Sequence, residues 1–345
     1  MSLNILALFA GAVADRVPRH RLLAAVEFTM AALGLVMLVL ILYDVLEVWH
    51  IFGIAMVAGM VRVFQMPSAQ SLIADTLPPD RIGNGVAFNV VGMNIAMLIG
   101  PLVGGVLFKA YGPLGAFITI ATLYFVSGWF ALLVRIPRRS VTEERESVFT
   151  TIIGGLKYIT REQVLWATLL LAVIVESSGW TFHTTLLPVF AQDVLKTDSA
   201  GLGLLLFAFG AGAVAASLAL ALFHNQRNVG KLMIGAVVLW HASILIFSTS
   251  NSMYLSMAIL VITGASFAST RVFILSALLR TAQSDYRGRV MGLRSLAIYA
   301  FAVGSMTSGA MAGLWGAPQA AKVIGVMGIA LVLILGIFAP KLRRF

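Results

Sequence analysis

Apolar residues run in blocks of about twenty, separated by short polar breaks, along the whole chain. That block length suits a helix rising ~1.5 Å per residue across a hydrocarbon core of roughly 30 Å. The pattern predicts helices over 20–43, 48–74, 83–108, 114–134, 164–190, 200–223, 230–249, 252–280, 289–315 and 318–339. A shorter apolar stub over 2–14 precedes them and reaches only about 20 Å, less than the core thickness. Its Ala10-Gly11-Ala12 resembles a signal-peptide cleavage site, but a basic leader region is missing, so it reads better as the end of a longer spanning helix. Strands are not expected, because barrel segments are about ten residues long and alternate apolar with polar.

Composition agrees. Hydrophobic residues make up 60% of the 345 positions and charged residues only 11%, too few to cover a soluble domain of this length. The formal charge of +10 raises the question of nucleic acid, but the bases sit in short loops between apolar blocks. There they set topology instead. With the loop over 15–21 inside and the sides alternating, Lys109, Lys196 and Lys322 fall outside and Arg62 and Arg271 fall within spans. The remaining nineteen of the 24 lysines and arginines lie inside. That bias puts the C-terminus in the cytoplasm of a multi-pass protein of the cell membrane. No nucleic-acid partner is expected; the lipid bilayer is one.

The longest polar stretch, 135–163, contains Arg138-Arg139 and Glu143-Glu144-Arg145-Glu146. It divides the chain into an N-terminal group (1–134), a cytoplasmic linker (135–163) and a C-terminal group of six spans (164–345). Within the linker, Val148 to Ile159 has apolar residues at helical spacing and is expected to lie along the membrane surface. The groups echo one another. Arg62-Val63-Phe64 and Arg271-Val272-Phe273 lie in spans of matching order once a missing first helix is counted. Each is followed by a loop with acid, base and glycine, Pro79-Asp80-Arg81-Ile82-Gly83 and Asp285-Tyr286-Arg287-Gly288-Arg289. An internal repeat is the expected reading.

Two further motifs sharpen it. Gly11-Ala-Val-Ala-Asp15-Arg16-Val-Pro18-Arg19-His20-Arg21 is a tight charged turn after the stub. Gly100-Pro101-Leu-Val-Gly104-Gly105 lies inside the span 83–108. With these motifs the whole chain resembles the major facilitator superfamily of secondary transporters, most closely its enterobactin- and macrolide-exporter-like branch. Gly11, Asp15, Arg16 and Arg19 match the family loop after the second helix in register, whereas Pro18 replaces its second glycine and His20 one of its basic positions. Gly100, Pro101, Gly104 and Gly105 resemble the family's fifth-helix pattern, associated with proton-coupled drug efflux; proline there kinks the helix and glycine permits close packing. Ala87 and Ala96 depart from the longer pattern. The second half holds a weaker counterpart of the loop, Arg227-Asn-Val-Gly230-Lys231, without the acid.

The resemblance implies an all-α membrane protein, a two-half helical bundle with about eleven of twelve helices present and the first lacking. It implies that the Asp15 loop latches one conformation. A misplaced start, a defective product and a helix supplied by another chain are the three explanations of the missing helix. The bland alternative to the latch is a topology anchor.

Charges inside spans are costly and point to function. Arg62, Gln65, Glu176, Trp180, His183 and Arg271 are the candidate proton and substrate cavity. Trp180 and His183 follow Glu176 at i+4 and i+7, on its face of a helix. Glu176 is a candidate proton carrier; the alternative is a structural ion pair with Arg62 or Arg271. The two arginines either counter an anionic substrate or neutralise Glu176. Glu27 is expected to pair with a loop arginine, and Asn89 and Asn94 either face the cavity or bond between helices.

The expected function is secondary active transport by alternating access, as proton-coupled efflux of a small organic molecule by a monomer. Uptake by the same fold and a non-transporting fragment are the alternatives. An enzyme is not expected: the five histidines are scattered, no pair stands at i,i+4, and no phosphate-cradling glycine-lysine loop occurs. Neither cofactor nor metal is called for, and the absence of cysteine excludes disulfides and thiolate sites.

Overall fold

The computed structural model describes residues 18–78, 81–134, 157–222, 228–283 and 286–345. Gly11, Asp15 and Arg16 of the charged loop lie outside these residues, as do positions 135–156 of the linker. Among the described residues the regular structure is helical throughout. The helices are α1 (Arg19–Leu42), α2 (Val48–Thr76), α3 (Ile82–Leu133), α4 (Gln163–Ser177), α5 (Leu187–Asp193), α6 (Ser199–Leu222) and α7 (Val229–Phe247). They continue with α8 (Met253–Thr281), α9 (Arg287–Ala297), α10 (Ala300–Trp315), α11 (Ala317–Phe338) and α12 (Pro340–Arg344).

Local chemistry sets many of the ends. Pro18 precedes α1, and its carbonyl accepts the amides of Arg21 and Leu22 at 2.8 and 3.0 Å, so a residue that cannot continue a helix backward starts one. At the start of α2, Glu47 and His50 form a reciprocal capping box, which satisfies amides that have no intrahelical partner. Gly316, at φ 81° and ψ 157°, ends α10 in a conformation that suits glycine, and Pro318 then opens α11.

Nine segments of the described residues are long and apolar enough to cross a membrane. One of them, Val91–Leu133, has 43 residues, about 65 Å of helix and twice the core thickness. Gly112, at φ 65° and ψ −162°, interrupts it, at the junction predicted between the spans 83–108 and 114–134. Large apolar side chains cover the outer faces: Phe52 is 71% exposed, Phe130 64%, Leu222 77% and Ile337 66%. In water such a surface would aggregate; in hydrocarbon it is the solvated face.

The chain divides into two compact units, Met1–Ile95 with Val106–Glu144, and Ala96–Gly105 with Arg145–Phe345. In the first, α1 packs along α2, and α1 meets α3 where Gly128 seats the Phe28 ring and Gly34 approaches Ala121. Phe28 and Phe125 rings lie 5.5 Å apart. In the second, Trp240, Phe182, Phe190, Phe209 and Phe247 are fully buried. Close backbone approach is reciprocal between α6 and α8, where Gly212 lies against the Val261 backbone and Gly264 against that of Phe209. Small residues at such crossings let helices associate by packing when lipid offers no hydrophobic gain.

Candidate functional site

The span predicted over 164–190 is not one regular helix. It breaks at Ser178 (φ −120°, ψ −66°), resumes for one turn over Gly179–Thr181, and widens into a π-helical segment over Phe182–Leu186 before α5. A Cβ at Gly179 would stand 2.8 Å from the Trp240 indole, so the chain passes over that ring only without a side chain. The Thr181 hydroxyl donates to the carbonyls of Glu176 and Ser177 at 3.2 and 3.1 Å, bonding acceptors that the break leaves without regular partners. His241 braces the break from α7: its Nε2 lies 2.8 Å from the Ser178 hydroxyl and its Nδ1 2.9 Å from the Val237 carbonyl.

Four residues beside this break were expected to share a cavity. Trp180 and His183 are in contact, ring centroids 5.3 Å apart, although the widened backbone no longer follows a simple 3.6-residue count. Trp180 is half-buried and stacks on Phe267 of α8 at 5.1 Å and 20°. His183 is buried and stacks on Phe209 of α6 at 3.8 Å. The Arg271 guanidinium lies 5.2 Å from the centroid of the same Phe267 ring. Glu176 and Arg271 are half-buried and interact electrostatically.

A residue missed by the sequence reading joins them. Arg294 of α9, counted above as a cytoplasmic loop charge, is half-buried and within electrostatic range of both Glu176 and Arg271. Its Nε is buried without a hydrogen-bond partner. Its position inside the candidate span Arg289–Trp315 is the signal that finds it. Among the described residues no direct ion pair closes between Glu176 and either arginine.

The first unit holds Arg62 and Gln65 in other roles. Arg62 is exposed and donates to the Tyr124 hydroxyl at 3.1 Å. Gln65 donates to the carboxylate of Glu27 at 2.9 Å, and Glu27 is only 5% exposed. Glu27 is therefore bonded within the bundle to α2, while Arg16 of the loop expected to pair with it lies outside the described residues. Asn89 is exposed and Asn94 half-buried.

The Gly100–Gly105 segment belongs to the second unit by packing. Gly105 lies against the Ser199 carbonyl, and the Ser199 hydroxyl donates to the Gly105 carbonyl at 3.1 Å. A Cβ on Gly203 would come within 2.7 Å of the Pro101 carbonyl, and one on Gly210 within 3.0 Å of the Leu98 backbone. Gly100 and Gly104 have open space around them. Backbone dihedrals stay helical through Pro101 and depart at Gly112 instead. Of this motif's glycines, Gly105 makes the close approach.

A family model described as transmembrane secretion effector, one of the major facilitator (MFS) families, matches residues 1–343. The chain belongs to that family. Its relatives include the staphyloferrin A transporter of Staphylococcus aureus, 24% identical over 206 residues covering 58% of this chain and 50% of that protein. Another is the multidrug resistance protein MdtG of Yersinia enterocolitica, 33% identical over 129 residues, 36% of this chain and 30% of the relative. The chain thus aligns with half or less of the length of these relatives. Among solved structures, a peptide transporter POT superposes with a TM-score of 0.77 over 99% of this chain and 84% of the other at 14% identity. That likeness establishes the helical transporter fold expected from the sequence.

In the MFS chain the charged residues of α4, α8 and α9 therefore sit in spanning helices. Charges there are retained where they face a polar cavity or one another. The arrangement is suited to holding a proton on Glu176 and an anion beside the arginines.

Proposed function

We propose that the protein is a secondary active transporter of the cell membrane that exports a small organic molecule in exchange for protons by alternating access. Glu176 carries the proton. The observation that carries this reading is a carboxylate thirteen residues into α4, beside a break in the helix, within electrostatic range of two arginines and closed onto neither. A carboxylate so placed can gain and lose a proton without dismantling an ion pair. The broken helix supplies irregular backbone of the kind that lines transporter sites. Relatives named as a staphyloferrin A transporter and a multidrug resistance protein support a small-molecule cargo.

The two halves, 1–134 and 164–345 with the linker 135–163 between them, are proposed to alternate, and Glu176, Trp180, His183 and Arg271 of the second are proposed as its proton and substrate residues. The loop of Gly11, Asp15, Arg16 and Arg19 is proposed as the cytoplasmic latch, and the C-terminus as cytoplasmic.

The test is efflux of a fluorescent neutral dye from a host lacking its own pumps, with and without a protonophore. Wild-type export is expected to collapse when the gradient is removed. Glu176→Gln is expected to lose gradient-driven export while keeping dye-for-dye exchange across preloaded vesicles. Unaltered gradient-driven export by Glu176→Gln would remove it from the proton path.

A further inference from the structure

The second unit carries more positive charge at Glu176 than that carboxylate can balance. Arg271 and Arg294 are both within its electrostatic range, and a guanidinium does not give up its proton. Among the described residues, two cations against one anion, inside spanning helices, leave an excess of one positive charge in a place where charge is normally paired.

The helices that carry the three residues also start from one face. Tyr158, just before α4, stacks on Tyr286, just before α9, at 4.1 Å, and its hydroxyl accepts the amide of Gln283, just after α8. The three helix ends therefore meet at one face. Counting along the helices from their ends at Arg287, Thr281 and Gln163, Arg294 lies about 10 Å, Arg271 about 15 Å and Glu176 about 20 Å in.

The guanidiniums are prepared for a ligand rather than for each other. The buried Nε of Arg294 has no acceptor, and a buried donor without a partner is unusual enough to require one. The face of Phe267 holds the Arg271 guanidinium at 5.2 Å, which fixes the guanidinium while leaving its N–H edge available. Trp180 stacks on the same Phe267 ring and stays half-buried, four residues beyond Glu176 and past the break at Ser178. A guanidinium and an accessible indole thus both pack on the Phe267 ring.

We propose that this cluster is an anion subsite, in which Arg271 and Arg294 grip the carboxylate of an aryl acid whose ring lies against Trp180. Glu176 opposes the anion, so its protonation and the anion's binding favour one another; an aryl acid held here travels with the proton and is a ligand distinct from the cargo exchanged against it. This rests on the transport reading for its purpose, but not for its test.

The purified full chain in lipid nanodiscs is titrated with salicylate and with salicylamide, its uncharged analogue, following tryptophan fluorescence. Salicylate is expected to quench saturably, with salicylamide at least about tenfold weaker, as loss of a charge-assisted contact implies. Arg294→Gln and Arg271→Gln are each expected to weaken salicylate by about tenfold, and Arg294→Lys by less. Trp180→Phe should remove most of the quenching, and Glu176→Gln should tighten binding. Thermal unfolding of each variant shows that it is folded, and Arg294→Lys carries the test should a glutamine variant not fold. Equal affinity for the two ligands, no saturable salicylate binding, or binding indifferent to both arginine variants overturns the proposal. No gradient is involved, so a protein that binds salicylate as described but exports nothing refutes transport alone. One that exports a neutral dye but ignores salicylate refutes this subsite alone.

Discussion

Glu27 shows how one hydrogen bond governs a buried charge. The carboxylate is almost fully enclosed, and Gln65 is the donor that reaches it. Replacing Gln65 with leucine leaves the acceptor in place and removes its donor, which costs about 1–3 kcal/mol. The expected outcome is a lower melting temperature of the purified Gln65→Leu variant, largely recovered when Glu27 is changed to Gln as well. A double-mutant cycle measures it, and strict additivity would mean the bond contributes nothing. The glycines of the fifth-helix motif offer a second contrast at this scale. Gly105 faces backbone atoms of Ser199 and Gly203, whereas Gly100 and Gly104 face open space. Gly105→Val is therefore expected to fold poorly and Gly104→Ala normally, read as yield of monodisperse protein. Backbone cannot rotate aside as a side chain can, so overpacking here costs roughly 1–3 kcal/mol or more.

The elements were legible in proportion to their apolar length. Blocks of some twenty residues produced helices where expected, and the long α3 separates at Gly112, between the two spans read from the pattern. The break at Ser178 was not legible. Neither Gly179 nor the polar run Glu176-Ser177-Ser178 distinguishes a broken helix from a continuous one, because the deciding contacts come from Trp240 and His241 more than sixty positions away. Arg294 was misread for a related reason. A basic residue near the start of a predicted span counts equally as a loop charge or a first-turn charge, and only the neighbouring α4 and α8 show which. The site was thus half visible: Glu176, Trp180, His183 and Arg271 come together around Phe267 and Phe209, while Arg62 and Gln65 bond to Tyr124 and Glu27 within their own unit. At this scale the break itself is testable. Gly179→Val places two methyls where the Trp240 indole lies, and the expected result is loss of folded protein, whereas Gly179→Val with Trp240→Leu regains part of it. Failure of the second change to rescue would mean the indole is not what constrains the passage.

Orientation in the membrane is a property of the whole chain, and it rests on a charge imbalance rather than on any one contact. With Arg294 moved into a span, eighteen of the 24 lysines and arginines fall on one side of the predicted topology, and Lys109, Lys196 and Lys322 on the other. Moving any single charge should leave the orientation unchanged, since the bias is summed over many short loops. The chain offers a clean way to read it because it contains no cysteine. Lys196, between α5 and α6, and Lys341, in α12, stand at opposite ends of the proposed topology. In intact cells Lys196→Cys is expected to react with a membrane-impermeant maleimide, and Lys341→Cys only after permeabilisation. Labelling of Lys341→Cys from outside would invert the topology, and with it the assignment of the Asp15 loop, the linker and the arginine-bearing ends of α8 and α9 to the cytoplasmic face. The same pair of variants reports whether the helices before Lys196 insert as an ordered set. Mixed labelling of Lys196→Cys, with only a fraction reacting before permeabilisation, would show that the charge bias alone does not fix the orientation.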